Sequence, residues 1–366
     1  MLQKHDVTRL QYDGDIVINA QSSSEEGRGF IFCSRSLSRE YRMWSANGNL
    51  RHRFARGQTG EGRVREMEKT PAKNLPKSHV TLTHPDRIYW PDEGVTKEGL
   101  ANYYAQVWRF MEPYVVNRPL ALLRLPDGIE GHQRFFQKHA WKGMNENIEQ
   151  ITDPKDRGGE KLLRIADFDG LVALVQSAVL EIHPWGATTD DWEKPDMITM
   201  DLDPGGEVAW DNIIAAAGEI KERLEAEGLA AFVKTSGGKG LHVVTPLKPK
   251  AGWGEVKAFA KRLADTMAAE SPNRYIVKAT KSERTGKIFI DYLRNGRGNT
   301  AVAAYSTRAR AGAAVSMPLE WSELTADIGP AHFTIDHTPP RLEALPHDPW
   351  DGFFAAAKPL EKKKKR

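Results

Sequence analysis

Residues 196–204, DMITMDLDP, place two acids one residue apart inside an apolar segment that is typical of a β-strand. Because successive strand side chains point to opposite faces, Asp201 and Asp203 share one face while their apolar neighbours share the other. Two strand steps separate these acids by roughly 6–7 Å. At that distance two negative charges repel by roughly 2 kcal/mol at an effective dielectric constant near 20. A strand that keeps both acids needs a partner that offsets this repulsion.

A third acid occurs in a similar setting. Asp291, in GKIFIDYLRN, follows four residues of which three are strongly apolar, so it is predicted on or at the end of a central strand. An unpaired buried carboxylate is costly. Mg²⁺ and Mn²⁺ bind carboxylate oxygens, and a pair of such ions can hold both reacting oxygens in phosphoryl transfer. The three acids therefore indicate a divalent metal site, while each acid alone is also explained as a hydrogen-bonded acceptor in the core.

The segment FVKTSGGKGLHVVTPL predicts two strands joined by a glycine-rich turn. Consecutive glycines allow backbone N–H groups to turn toward an anion, and Lys239 adds a positive charge. The segment is not a Walker A loop, because no Ser or Thr follows the lysine-bearing turn and no helix begins there. A plain glycine-rich hairpin explains the same residues. Because His242 enters the second strand just after the turn, the pattern favours a loop that binds the phosphates of a nucleotide.

Composition excludes several classes of site and location. The chain has 366 residues, of which 40% are hydrophobic and 28% charged, as in ordinary soluble globular proteins. Cys33 is the only cysteine, so an intrachain disulfide and a cysteine-built zinc site are excluded. No signal peptide is recognisable at the start, and no apolar run reaches the roughly 18 residues of a membrane span. A cytoplasmic protein without a membrane partner is expected.

Positive charge is concentrated in two segments, although the formal net charge is only +3. Residues 51–80 contain eight Lys or Arg against three Glu, and the chain ends EKKKKR. Both segments suit contact with phosphate groups. Solvated, disordered segments are the simpler explanation of each one alone.

Three regions are expected along the chain. Residues 1–75 are polar and rich in Ser, Gly and Arg, and the sequence predicts for them an N-terminal extension of unknown fold that is partly disordered. Two prolines in residues 69–79 indicate a linker. Residues 76–352 are predicted to form the main globular domain, and residues 353–366 a basic C-terminal tail.

Helix and strand patterns alternate within the main domain. Thr96 is predicted to cap a helix over residues 97–116, and further helices are predicted between Asp211 and Gly228 and over residues 254–269. Strands are predicted at LALLRLP, MITMDLD, AAFVKT, LHVVTPL, KIFIDYL and TAVAAYS. An α+β fold with the acids on its central strands is expected.

Three motifs together carry a family resemblance. MDLDP, TSGGKGLH and FIDY, in this order, resemble the motifs of the archaeo-eukaryotic primase superfamily, and within it the polymerase domain of bacterial DNA ligase D. Further matching stretches between about residues 79 and 350 are LTHPDRIYWP, VTKEGLANYY, RPLALLRLPDG, FFQKH, EIHPWG, ATKSERTGKIFIDYLRN and AYSTRAR. The resemblance implies a primase-polymerase fold, in which central antiparallel or mixed β-sheets form an RRM-like catalytic core flanked by helices.

The resemblance also implies roles for particular residues. Asp201, Asp203 and Asp291 would be the catalytic residues and would bind two divalent ions, Mn²⁺ or Mg²⁺. The family positions that bind the NTP or dNTP substrate correspond to His183, Ser236, Lys239, His242, Lys281, Arg284 and Arg308. Taken alone, each of the basic residues among them is equally well an ordinary surface charge.

Four residues match family positions that contact DNA. Phe135 and Phe136, in the polar stretch GHQRFFQKHA, match an aromatic pair beside the templating base, where exposed aromatics can stack on an unpaired base. A core position for one of them is the alternative. Arg87 and Lys97 match two basic positions that bind the 5′-phosphate on the downstream side of a gap. Arginine replaces the family's usual lysine at position 87, which changes the geometry of that contact, and Lys97 is otherwise explained as a solvated residue in the first turn of a helix.

The resemblance implies a template-directed nucleotidyltransferase that fills gaps and extends ends in bacterial non-homologous end joining, with a preference for ribonucleotides. Its expected partners are gapped DNA or 3′-overhang ends with a 5′-phosphate, a Ku-type end-binding protein and an ATP-dependent DNA ligase, all in the bacterial cytosol. The ligase motif K-x-D-G does not occur in this sequence, so sealing is expected to depend on another protein. A two-metal nuclease and a non-catalytic DNA-end adaptor are the alternatives.

Overall fold

A computed structural model of the chain describes residues 75–361 in full, together with the backbone of five strands between residues 7 and 55. The chain divides into two compact units, Met1–Lys73 and Asn74–Arg366. The sequence predicts this boundary after residue 75. All the residues assigned to a site from the sequence lie in the second unit.

The first unit contains a five-stranded antiparallel sheet. Its strands are β1 (Val7–Tyr12), β2 (Asp15–Ala20), β3 (Ile31–Arg35), β4 (Glu40–Trp44) and β5 (Leu50–Ala55), which lie in the sheet in chain order. The sequence predicted no fold here, because its few apolar residues show no sustained alternation. Residues 69–74 of the predicted linker and residues 362–366 of the predicted tail fall outside the described residues.

The second unit combines helices with short strands. Its helices are α1 (Lys97–Val115), α2 (Phe168–Gln176), α3 (Trp210–Ala226), α4 (Trp253–Glu270) and α5 (Thr338–Ala344). Its strands are β6 (Ile88–Trp90), β7 (Val95–Thr96), β8 (Leu120–Arg124), β9 (Phe135–Gln137), β10 (Glu149–Ile151), β11 (Leu162–Arg164), β12 (Val179–Pro184), β13 (Met197–Pro204), β14 (Phe232–Thr235), β15 (Leu241–Pro246), β16 (Tyr275–Ile276), β17 (Ile288–Asp291) and β18 (Pro318–Leu319). None of the helices in the described part of the chain has the length and apolar character needed to cross a membrane.

Two sheets organise this unit. The larger has the order β16-β17-β13-β15-β14-β18, and only its β16–β17 pair is parallel. The smaller has the order β10-β11-β8-β12, with β9 also paired to β8. The predicted α+β class with antiparallel and mixed sheets is confirmed. Strand β13 lies inside the larger sheet, and its apolar face, with Met200 and Leu202 fully buried, packs in the main core.

The three helices predicted from periodicity are present. Thr96 caps α1, since its Oγ1 accepts a hydrogen bond of 3.0 Å from the backbone N–H of Gly99. The predicted apolar stripe of α1, which includes Leu100, Tyr104 and Met111, is buried in the core. The short helices α2 and α5 were not predicted.

Two expectations about the end of the domain are wrong. The segment TAVAAYS forms no strand, because Ala303 bonds back to Ile182 and Tyr305 takes a left-handed φ of 65°, which interrupts an extended chain. The domain does not end at residue 352. Phe353 is 2% exposed and stacks on Trp350 with ring centroids 4.9 Å apart, so packing continues into the segment expected to be a tail.

Candidate nucleotide and metal site

Four ionisable side chains form a row across the larger sheet. Lys234 of β14 lies opposite His242 of β15, and His242 lies opposite Asp201 of β13. On the other side of β13, Asp201 lies opposite Asp291 of β17. Residues directly opposite in antiparallel strands point to the same face, and all four are at most 7% exposed. Asp203 follows on the same face, two residues after Asp201.

Asp201 is held by a neighbouring imidazole and by nearby cations. Its Oδ1 lies 3.3 Å from Nε2 of His242, and its Oδ2 accepts a hydrogen bond of 3.1 Å from Nε of Arg294. Burial acts to raise the pKa of Asp201, but His242, Arg294 and Lys234 together hold it below its ordinary value. Asp201 is therefore an anion at neutral pH.

His242 is neutral in this environment. Burial, followed by the charge of Lys234, lowers the pKa of His242 to about 4. Its Nδ1 is buried and has no hydrogen-bond partner within residues 75–361. A buried nitrogen without a partner is unusual in a folded protein, so this imidazole is a candidate ligand-binding group.

The other two acids are less well compensated. Burial, followed by the charge of Asp201, raises the pKa of Asp203 to about 6. Burial also raises the pKa of Asp291, against the opposing charge of Arg294. Burial is the main cause of both shifts, and only for Asp203 does the charge of Asp201 add more than Arg294 offsets.

Arg294 supplies the positive charge between the acids. Its Nε lies 3.1 Å from Oδ2 of Asp201 and 3.1 Å from Oδ2 of Asp291. Asn295 fixes the turn that carries it, because its side-chain amide exchanges two hydrogen bonds of 2.8 Å with the backbone of Thr199. Sequence reasoning assigned neither residue a role. The only local signal is the three-residue spacing that lets Arg294 reach back to Asp291.

The three aspartates have the donor chemistry of a Mg²⁺ or Mn²⁺ site, but no such site is assembled. In the fully described range 75–361, no group of three or more His, Cys, Asp or Glu side chains is arranged to hold a metal ion. Arg294 lies between Asp201 and Asp291, where a shared cation would contact both. The carboxylates therefore suit a divalent cation at the place that the guanidinium of Arg294 occupies between Asp201 and Asp291.

A cavity of about 510 Å³ opens beside the acids, a volume typical of small-molecule sites. All seven residues that the resemblance associates with nucleotide binding line it, namely His183, Ser236, Lys239, His242, Lys281, Arg284 and Arg308. Asp201, Asp203, Arg294 and Arg310 line the same cavity. The fold thus brings together side chains that are far apart in sequence.

The loop between β14 and β15 forms one wall of the cavity. Oγ of Ser236 accepts hydrogen bonds of 3.2 Å from the backbone N–H groups of Gly238 and Gly240. A side chain at Gly240 would place its Cβ 1.8 Å from the carbonyl oxygen of Leu202. Only glycine therefore lets this loop lie directly against β13, and the predicted strand–loop–strand arrangement is confirmed.

Cations without acidic partners surround the cavity. Lys239, Lys281 and Arg310 form no salt bridge in the described part of the second unit. Two other cations are paired, since Arg284 lies 3.8 Å from Asp203 and Arg308 lies 3.1 Å from Glu181. Unpaired cations in a cleft attract anionic ligands, and a site for a polyphosphate requires such cations.

The aromatic pair is at the surface. Phe135 is 44% exposed and Phe136 is 54% exposed, so the alternative that one of them is a core residue is wrong. Both lie on β9, which pairs with β8. Phe136 contacts the ring of His183 edge-on, with centroids 5.7 Å apart. The exposed aromatic surface therefore adjoins the cavity through His183.

Arg87 and Lys97 lie next to each other at the start of α1. The backbone N–H of Lys97 donates to the carbonyl oxygen of Arg87 at 2.8 Å. Lys97 is only 4% exposed, and its ammonium donates to the carbonyl oxygen of Thr83 at 2.8 Å, so the alternative of a solvated lysine is wrong. Burial and then the charge of Arg87 lower the pKa of Lys97. The guanidinium of Arg87 donates to the carbonyl oxygen of Pro126 at 3.2 Å.

We expect Arg294→Gln to tighten Mn²⁺ binding to the nucleotide-free protein about tenfold, because it removes the positive charge that competes for Asp201 and Asp291. Isothermal titration calorimetry measures this change. The matched control is Arg297→Gln, which removes an arginine paired with Asp153 and Glu193 that does not line the cavity. Unchanged or weaker binding by the Arg294 variant would contradict the competition.

Comparison with known proteins gives one consistent family. The family described as LigD, primase-polymerase domain, matches residues 96–350. The multifunctional non-homologous end joining protein LigD of Pseudomonas aeruginosa is 39% identical over 272 residues, which cover 74% of this chain and 32% of that protein. The bifunctional LigD of Bacillus subtilis is 29% identical over 265 residues, covering 72% of this chain and 42% of that protein. The chain thus spans less than half the length of these relatives.

A solved structure is similar over nearly the whole second unit. The polymerase domain from Mycobacterium tuberculosis ligase D, in complex with DNA, superimposes with a TM-score of 0.69 at 30% sequence identity. The match covers 77% of this chain and 100% of that one. From the sequence match, the shared fold and the cavity beside the acids, the chain belongs to the LigD primase-polymerase family.

Proposed function

We propose that this protein is a template-directed nucleotidyltransferase that extends primer ends and fills gaps in bacterial non-homologous end joining. One observation carries the proposal. The acids Asp201 and Asp203 line the same cavity as six basic side chains, three of which have no acidic partner within residues 75–361. Acids beside unpaired cations suit phosphoryl transfer from a nucleoside triphosphate, and the resemblance favours ribonucleotides over deoxyribonucleotides.

The basic residues would hold the triphosphate. Lys239 and Lys281 are exposed at the cavity and free of acidic partners, so they neutralise charge on the phosphates at little desolvation cost. Arg284 and Arg308 complete this set from two other segments of the chain. The neutral His242 offers Nδ1 as an acceptor beside Asp201.

The three aspartates would hold Mn²⁺ or Mg²⁺, with Asp201 and Asp203 in the wall of the cavity. Two such ions, when bound, lower the pKa of a primer 3′-hydroxyl and neutralise charge on the reacting phosphate while pyrophosphate leaves. Asp201 lies between the strands that carry Asp291 and His242, so it is placed to contact both the ions and the nucleotide side of the site. Arg294 would leave the carboxylates to the ions and supply a cation to the phosphates from the same cavity wall.

The DNA would lie along the exposed face next to the cavity. Phe135 and Phe136 present exposed rings on which a template base can stack. Arg87 and Lys97 would contact a downstream 5′-phosphate, and the pKa of Lys97 is lowered in part by the charge of Arg87. Gapped DNA and 3′-overhang ends with a 5′-phosphate are the proposed substrates, with a Ku-type protein and an ATP-dependent ligase as partners in the bacterial cytosol.

The two alternatives predict different products. A two-metal nuclease also uses clustered acids, but it needs no cavity surrounded by unpaired cations, and it shortens a labelled primer. A non-catalytic adaptor binds DNA ends without metal-dependent turnover. The cavity and its cations favour the nucleotidyltransferase over both.

We expect the protein to lengthen a labelled primer in the presence of Mn²⁺ and ATP or GTP. Asp201→Asn should lower the rate of primer extension at least about a thousandfold, because the central carboxylate is lost. Denaturing gel electrophoresis measures the products. Asp265→Asn, which changes an exposed acid on α4 paired with Lys261, is the matched control and should leave the rate unchanged. Equal extension by the wild type and Asp201→Asn would defeat the proposal, and a shortened primer would favour a nuclease.

Phe136→Ala should weaken binding of gapped DNA by about 5- to 150-fold, because one stacked base contributes about 1–3 kcal/mol. Fluorescence anisotropy with a labelled gapped duplex, without nucleotide, measures this loss. Phe354→Ala is the control, since Phe354 is also exposed, at 41%, but packs on Tyr114 in the C-terminal segment. Equal losses for both variants would contradict a template-facing role for Phe136.

A further inference from the structure

Glu181 is a buried acid that no predicted role includes. It lies on β12, two residues before His183, so the two side chains share a face of the strand. Only 4% of Glu181 is exposed, and its Oε2 lies 2.8 Å from Nε2 of His183. A carboxylate this deeply buried is costly unless every oxygen has a partner.

The other oxygen of Glu181 reaches a different part of the chain. Its Oε1 accepts a hydrogen bond of 2.9 Å from the backbone N–H of Ala309 and lies 3.1 Å from Nε of Arg308. Arg308 and Ala309 belong to the irregular segment that follows β17, whereas β12 belongs to the smaller sheet. Glu181 therefore joins β12 of the smaller sheet to the segment that carries Arg308 and Ala309.

Both side chains held by Glu181 line the cavity. His183 and Arg308 contribute to its wall, while Glu181 itself does not. His183 also supports the exposed ring of Phe136. Glu181 thus affects the nucleotide side of the site through His183 and Arg308, and the template side through His183 and Phe136. It would contact neither ligand itself.

The charge of Glu181 fixes the proton on His183. Burial acts to raise the pKa of Glu181, but His183 and Arg308 hold it at about 2, so the group is a carboxylate that can only accept hydrogen bonds. Nε2 of His183 must therefore carry a proton. Burial lowers the pKa of His183, which leaves the ring neutral and its Nδ1 without a proton.

We propose that Glu181 is a positioning residue, which fixes the ring orientation and the Nε2–H tautomer of His183 and aligns Arg308 in the nucleotide cavity. The effect of Glu181 on nucleotide binding rests on the proposed function, whereas its effect on the tautomer of His183 does not. Each of these two effects is tested by a separate measurement.

The first measurement uses Glu181→Gln, which has nearly the same shape. The N–H of Ala309 and the guanidinium of Arg308 both need an acceptor, so the amide oxygen of the glutamine turns toward them and its NH₂ faces His183. Nε2 must then accept, and the ring proton moves to Nδ1. ¹⁵N NMR of imidazole-labelled protein should show the Nε2–H tautomer of His183 in the wild type and the Nδ1–H tautomer in the variant. The same tautomer in both proteins would overturn the proposal.

The second measurement follows the nucleotide. Glu181→Gln should raise the KM for the nucleoside triphosphate about tenfold or more, with kcat changed less than about threefold, because the residues that hold the ligand move while the acids do not. Asp153→Asn is the matched control, since Asp153 is a buried acid that binds Arg297 through two hydrogen bonds of 2.7 Å but does not line the cavity. It should leave KM and the His183 tautomer unchanged.

The outcomes separate the two proposals. A wild type that never incorporates nucleotides contradicts the proposed function, while the tautomer of His183 still tests the role of Glu181. An active wild type whose KM is unaffected by Glu181→Gln, or is affected equally by Asp153→Asn, contradicts the positioning role. Circular dichroism spectra of all three proteins identify any variant that has lost its fold, and a Glu181→Gln protein that does not fold would also contradict the proposal, which expects an isosteric change to be tolerated.

Discussion

Repulsion among three carboxylates on neighbouring strands is the constraint on which this site depends. Hydrogen-bonded pairing of β13 with β17 places Asp201 opposite Asp291, and the strand period adds Asp203 to the same face. Arg294 offsets part of this repulsion, and burial together with the charge of Asp201 still raises the pKa of Asp203. Carboxylates this close together favour a cation beside them, and Asp201 and Asp203 line the cavity that also contains the unpaired cations.

Local patterns in the sequence were sufficient for the features that depend on one segment. The strand period correctly placed Asp201 and Asp203 on one face, the helical stripe and Thr96 located α1, and the glycines marked the turn before β15. The joint occurrence of three motifs identified the family, because their order constrains much more than any one of them. The polar stretch around Phe135 left a core position for one of the two phenylalanines open, and only the structure shows that both are exposed.

Features that depend on register between distant segments could not be predicted from the residues. In the sequence Lys234 looks like an ordinary strand residue. Only the pairing of β14 with β15 shows that it lies opposite His242. Glu181 looks like one polar residue in an apolar strand, and its partners near Arg308 lie more than a hundred positions away. TAVAAYS has strand composition, but the left-handed backbone at Tyr305 prevents a strand there. In each case tertiary contacts decide the structure, and local propensity does not report them.

Anomalous diffraction from a crystal of the protein with Mn²⁺ and a non-hydrolysable nucleoside triphosphate tests the central claim most directly. We expect manganese peaks that are bound jointly by Asp201, Asp203 and Asp291. The guanidinium of Arg294 should be turned away from these carboxylates, and the triphosphate should lie along Lys239 and its neighbours. Manganese found elsewhere, with Arg294 still between Asp201 and Asp291 while the nucleotide is bound, would contradict it.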